Sequence, residues 1–116
     1  MPFRTLKYQE RRMSNQDQDQ LLRKLADSFI NIANDHAETH DKNIVNTAFL
    51  YAASRFSAYV AASSARNLED FVSRQEKGIE FFTGEFNRML NSNMQNYEKI
   101  FQPAEELRYE EFMKKN

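Results

Sequence analysis

The residues with the clearest capacity for chemistry are His36 and His40, in the stretch HAETH. Two histidines four apart share one helix face and can ligate a single metal ion, with Asp35, Glu38 or Asp41 at hand as oxygen ligands. The zinc-peptidase pattern H-E-x-x-H needs its general-base glutamate directly after the first histidine. Ala37 holds that position here, and no third histidine exists in the chain. The competing reading is a helix C-terminus, where histidine is favoured by the helix dipole and Asp41 starts the next cap. His36 and His40 are therefore candidate ligands for a metal or small molecule, with no catalytic role assigned.

Other chemistry is thinly represented. Arg55 has Tyr51 and Tyr59 one turn away on either side, a setting for an anionic ligand or for pairing with a carboxylate such as Asp27 or Glu76. Glu76 and Glu80 are paired carboxylates whose ordinary place is a solvated helix surface. The chain has no cysteine, which excludes disulfides, cysteine-ligated zinc and thiol nucleophiles. No G-x-S-x-G elbow and no glycine-rich phosphate loop occurs, and two glycines are too few to build a phosphate cradle. These absences predict a non-enzyme with no cofactor.

The formal net charge is −1. Residues 1–12 are basic, with Arg4, Lys7, Arg11 and Arg12 against Glu10. The body is mildly acidic, nine basic side chains facing twelve acidic ones over residues 13–101. Such a body makes a poor nucleic-acid partner, because binding phosphate requires a clustered basic face. The first residues lack the apolar core of a secretory signal. A polar run, MSNQDQDQ, follows Met13 and reads like the start of a soluble chain. Residues 1–13 are expected to be a disordered extension, residues 14–101 a helical domain, and residues 102–116 a polar tail or short helix.

The elements that position these side chains are helices. Gly and Pro number two each, β-branched residues are scarce, and alanine is abundant, so the class is all-α. Helix 1 opens at Ser14 in SNQD, a capping pattern, and places Leu22, Leu25, Phe29, Ile32, Ala33 and His36 on one face. Helix 2 contains NTAFLYAASRFSAYVAASSA, residues 46–65, with Asp41 or Asn43 as its cap. That stretch is too interrupted by Arg55 and serines for a membrane span. On a helix it becomes two-sided: Val45, Phe49, Ala52, Phe56 and Val60 on a bulky face, Ser54, Ser57, Ala58, Ala61 and Ala65 on a small one.

Helix 3 starts after Asn67 and carries a seam of Leu68, Val72, Gln75, Ile79, Phe82, Phe86 and Met89, stepping four and three. The seam then shifts to Leu90, Met94, Tyr97 and Phe101. Gly84 and the NSN at 91–93 are weak points, and Pro103 is expected to end the run. The outcome predicted is a three-helix up-down-up bundle whose third helix, over residues 67–101, overhangs its neighbours. Phe82, Phe86, Met89, Leu90, Met94, Tyr97 and Phe101 are the candidate interface, covered by a second copy in a homodimer or by a protein partner still to be identified, unless helix 3 breaks near Gly84 or 91–93 and folds back or the 103–116 tail covers the seam.

FLYAASRFSAYVA at 49–61, followed by EFFTGEFNRMLNSNMQNYEKIF at 80–101, resembles a small bacterial family catalogued as domain of unknown function 3144. The resemblance covers residues 17–101 and rests on an alanine-aromatic helix and a downstream F-RML helix. It implies a bacterial cytoplasmic protein and transfers no activity and no site residue. The expectation is a protein-interaction or self-associating module. Its alternatives are a metal- or small-ligand-binding protein using His36 and His40, and an amphipathic protein on a lipid or polymer surface.

Overall fold

The computed structural model describes residues 13–115. They form three helices and, among the described residues, no strand: α1 (Asn15–Ala37), α2 (Lys42–Ser63) and α3 (Leu68–Lys115). The expected extension at 1–13 lies outside the described residues apart from Met13. The chain divides into two compact units, Met1–Arg55 and Phe56–Asn116. The first holds α1 and the N-terminal part of α2. The second holds the end of α2 and all of α3.

Each helix begins where a side chain can satisfy the free amides of its first turn. Ser14 accepts from the amide of Asp17 at 3.1 Å to open α1. Asp41 accepts from the amides of Asn43 at 2.8 Å and Ile44 at 3.4 Å to open α2. Asn67 accepts from the amide of Asp70 at 2.9 Å to open α3. All three caps agree with the sequence reading, Asp41 being chosen over Asn43. No described residue has a positive φ, so neither connection uses the left-handed turn that commonly ends a helix. Both glycines lie inside α3 instead.

The third helix departs from expectation in length. It runs without a break through Gly84, through Asn91–Asn93 and through Pro103, ending at Lys115. Pro103 was expected to stop it. Proline removes one amide and crowds the carbonyl four residues earlier, that of Lys99. Ala104, Glu105, Glu106, Leu107 and Arg108 follow, a run of good helix formers that restarts the hydrogen-bond ladder after a single lost rung. The 48-residue helix therefore spans about 72 Å at 1.5 Å per residue.

Neither unit has a buried core among the described residues. In the first unit the less exposed positions are Leu21, Ala26, Ala33, Ala37 and Val45. In the second they are Ser57 and Ala61 from the small face of α2, Ala65 in the connection, and Asp70, Phe71, Gly78, Phe82 and Glu85 on α3. No helix among the described residues is long and apolar enough to cross a membrane.

Candidate functional site

Three features have the geometry of a site. The first is a groove in the α1–α2 hairpin with a volume of about 490 Å³. From α1 come Phe29, Ile32, Ala33 and His36, the apolar face read from the periodicity. From α2 come Ile44, Val45, Ala48, Phe49 and Ala52, its bulky face. His40, in the turn, closes the end beside His36. Ala33, Ala48 and Ala52 bring small side chains to the lining, and Phe29 and Phe49 bring aromatic rings. The histidines are its polar side chains.

The two imidazole rings lie 6.4 Å apart between centroids and are tilted by 48°. The amide of His40 donates to the carbonyl of His36 at 3.0 Å, so the second ring is held one turn beyond the first by the last turn of backbone. Asp41 is occupied in capping α2. Among the described residues no group of three or more His, Cys, Asp or Glu side chains is placed to hold a metal ion. The pair therefore reads as two imidazole hydrogen-bonding groups on an apolar trough, which suits contact with a hydroxyl as well as a metal.

The second feature is the open face of α3. At about 100° per residue, Phe82, Phe86, Met89, Leu90, Met94, Tyr97 and Phe101 fall within a sector of roughly 140°. Leu68, Val72, Ile79, Ile100 and Leu107 extend the same stripe along the helix. Phe82 is half-buried and the other six interface candidates are exposed, from 42% at Leu90 to 66% at Phe101. Apart from Asp70 at its first turn, the shaded described residues of α3 lie on one edge, at Phe71, Gly78, Phe82 and Glu85. The sequence seam lies one residue on from that edge: Leu68 is 78% exposed, and Val72 and Ile79 are also open. A methyl group added at Gly78 or Gly84 would meet nothing within 4 Å among the described residues. Within this unit the Phe56–Ser63 segment of α2, about 12 Å long, is far too short to cover a helix of about 72 Å.

The third feature is the corner between α2 and α3. Asp70 accepts from the backbone amide of Arg66 at 2.9 Å and from the Arg74 guanidinium at 2.7 Å. The same Arg74 nitrogen donates to the carbonyl of Ser64 at 2.9 Å. Asn67 accepts from the Asp70 amide, and Asp70 reaches back past the cap to the amide of Arg66, a variant of the capping box shifted by one residue. The Arg66 amide, and then Arg74 through its hydrogen bond and charge, hold the Asp70 carboxyl below its ordinary value against a partial opposing effect of desolvation. On the surface of α3, the Arg88 hydrogen bond and charge lower the Glu85 carboxyl in the same way. This corner is structural. The sequence showed its Asn67 cap, while the role of Arg74, four residues past Asp70, follows only once the turn is seen.

Arg55 forms neither of the ion pairs considered for it, with Asp27 or Glu76, among the described residues. Its guanidinium lies 5.8 Å from the centroid of the Tyr51 ring, a cation–π contact, and makes no ion pair among the described residues. Tyr59 stacks instead on Phe56, with centroids 5.8 Å apart. Glu76 and Glu80 are exposed on α3, as solvated carboxylates are expected to be.

A protein-family model described as Protein of unknown function (DUF3144) matches residues 22–98. No curated protein and no solved structure matches the chain.

Proposed function

The chain belongs to the DUF3144 family, and from that premise, which brings no activity with it, we propose that the protein is a non-catalytic helical module that associates with itself. The observation that carries this reading is the open apolar stripe of α3. Contiguous exposed apolar surface beyond a few hundred Å² marks an interaction face in a water-borne protein. Here the stripe continues over most of a 48-residue helix with no described residue of the unit buried. A partner must supply the missing half of the core. A second copy supplies it with no further component, because a face on a two-fold axis is complemented by the same face or by another surface of the same chain. The expected partner is thus a homodimer subunit, in a bacterial cytoplasmic setting that the cysteine-free composition suits.

Light scattering coupled to size exclusion tests the reading. The full chain is expected to elute with twice its formula mass at micromolar concentration. Met94→Glu and Phe101→Glu are expected to shift it to the monomer mass while circular dichroism still reports helix. A full chain that is monomeric throughout, and that floats with anionic vesicles, would move the stripe from a protein partner to a lipid surface.

A further inference from the structure

We propose that the groove of the α1–α2 hairpin is the seat for the C-terminal half of α3 from a second copy, each copy's groove receiving the other's helix. The inference rests on the self-association reading above and specifies which two surfaces meet.

Four observations carry it. First, the groove has the form of a helix seat. Ala33, Ala48 and Ala52 let a backbone come close, and a trough of about 490 Å³ takes several large side chains. Second, α3 presents the matching series. Met94, Tyr97 and Phe101 stand at i, i+3 and i+7, the anchor spacing of a helix lying in a groove, and are 62–66% exposed.

Third, the area suffices. Aromatic and other large side chains carry roughly 150–250 Å² each, so five or six half-exposed anchors contribute about 500 Å² per copy. The groove walls add a smaller area, so reciprocal seating buries roughly 600 Å² per copy, about 1,200 Å² in all, the lower end of a specific stable interface. Pairing the two α3 stripes with each other would reach part of this area and leave both grooves filled with water. Reciprocal seating covers groove and stripe together, twice, under one two-fold axis.

Fourth, the polar groups balance. Tyr97 brings a phenol hydroxyl, which needs a hydrogen-bond partner once covered. The groove's polar side chains are His36 and His40, both able to accept or donate to it. On this arrangement the histidine pair recognises a tyrosine of the second copy.

The absence of native cysteine makes the test direct, since an introduced thiol has no competitor. Ala48→Cys chain bearing one affinity tag is mixed with Tyr97→Cys chain bearing another, and treated with a short bismaleimide. A cross-linked species holding both tags, in excess over either same-tag product, is expected. Only 97-to-97 product from a dimeric protein would overturn the seat while leaving self-association intact. Only monomeric protein, with no product, would overturn both. A chain carrying both cysteines that links only within itself would show that a copy's own α3 fills its groove, and would also overturn the proposal. Ala48→Trp, which fills the trough without touching α3, is expected to raise the dimer dissociation constant by about tenfold or more. An unchanged constant would count against the groove as the seat.

Discussion

At the scale of single residues, Asp70 is the side chain with most to lose. It is 13% exposed, although it lies at a corner of the molecule, because Arg66 and Arg74 wrap it. Its partners are a backbone amide and a guanidinium, and both favour the ionised form over the neutral one. Asp70→Asn should therefore lower the melting temperature at neutral pH, and by more than Glu85→Gln, whose Arg88 pair is an exposed i, i+3 contact. The pH dependence has a definite sign. A carboxyl depressed on folding stabilises the folded state above its unfolded value, near the ordinary 3.8, and loses that contribution as pH falls through the lower folded value. Thermal unfolding curves of wild type and Asp70→Asn should differ at neutral pH and converge in strong acid. Curves that stay equally far apart down to that range would mean the Asp70 charge is not what holds the corner.

At the scale of elements, the caps were legible in the sequence and the length of α3 was not. Ser14, Asp41 and Asn67 cap through hydrogen bonds to residues two or three positions on, so the information is local and can be read from neighbouring letters. The apolar faces of α1 and α2 were also legible, since periodicity alone placed Phe29, Ile32, Val45 and Phe49 on what became the groove walls. What covers those faces depends on contacts far apart in sequence, and no spacing encodes it. Pro103 misled because its local signal is strong, while the helix formers after it act together. Replacing it by alanine should strengthen the ladder around Lys99 by about 3 kcal/mol and slow amide exchange there, with little effect near Leu68. Gly84 gives a cleaner test. With open space around it, Gly84→Ala should raise stability by about 0.5–1 kcal/mol in urea unfolding. Gly78→Ala should do the same unless a second copy packs on that half-shaded edge, in which case the gain is cancelled.

At the scale of the whole molecule, no described residue is buried, and the proposed self-association would make stability a property of the assembly. If a second copy completes the core, the melting temperature must rise with protein concentration, since folding and association are linked by mass action. Calorimetric scans across a hundredfold range of concentration should show that rise for the wild type and none for Phe101→Glu. A wild-type transition independent of concentration would mean that each chain is stable alone. The metal reading of His36 and His40 predicts instead that zinc shifts the transition at fixed concentration. The seat proposed for α3 predicts no such shift, and predicts that His36→Leu with His40→Leu weakens association.

The farthest-reaching hydrogen bond described above, from Arg74 to Ser64, joins residues only ten apart. Chains stabilised mainly by such near neighbours close small loops, and their helical hairpins form in microseconds to milliseconds. The α1–α2 hairpin would thus be complete on the ribosome before α3 has emerged, its apolar trough already open. Refolding should then show two kinetic phases. A rapid one, independent of dilution, would belong to the hairpins. A later one would be second order in chains and would become slower as the protein is diluted.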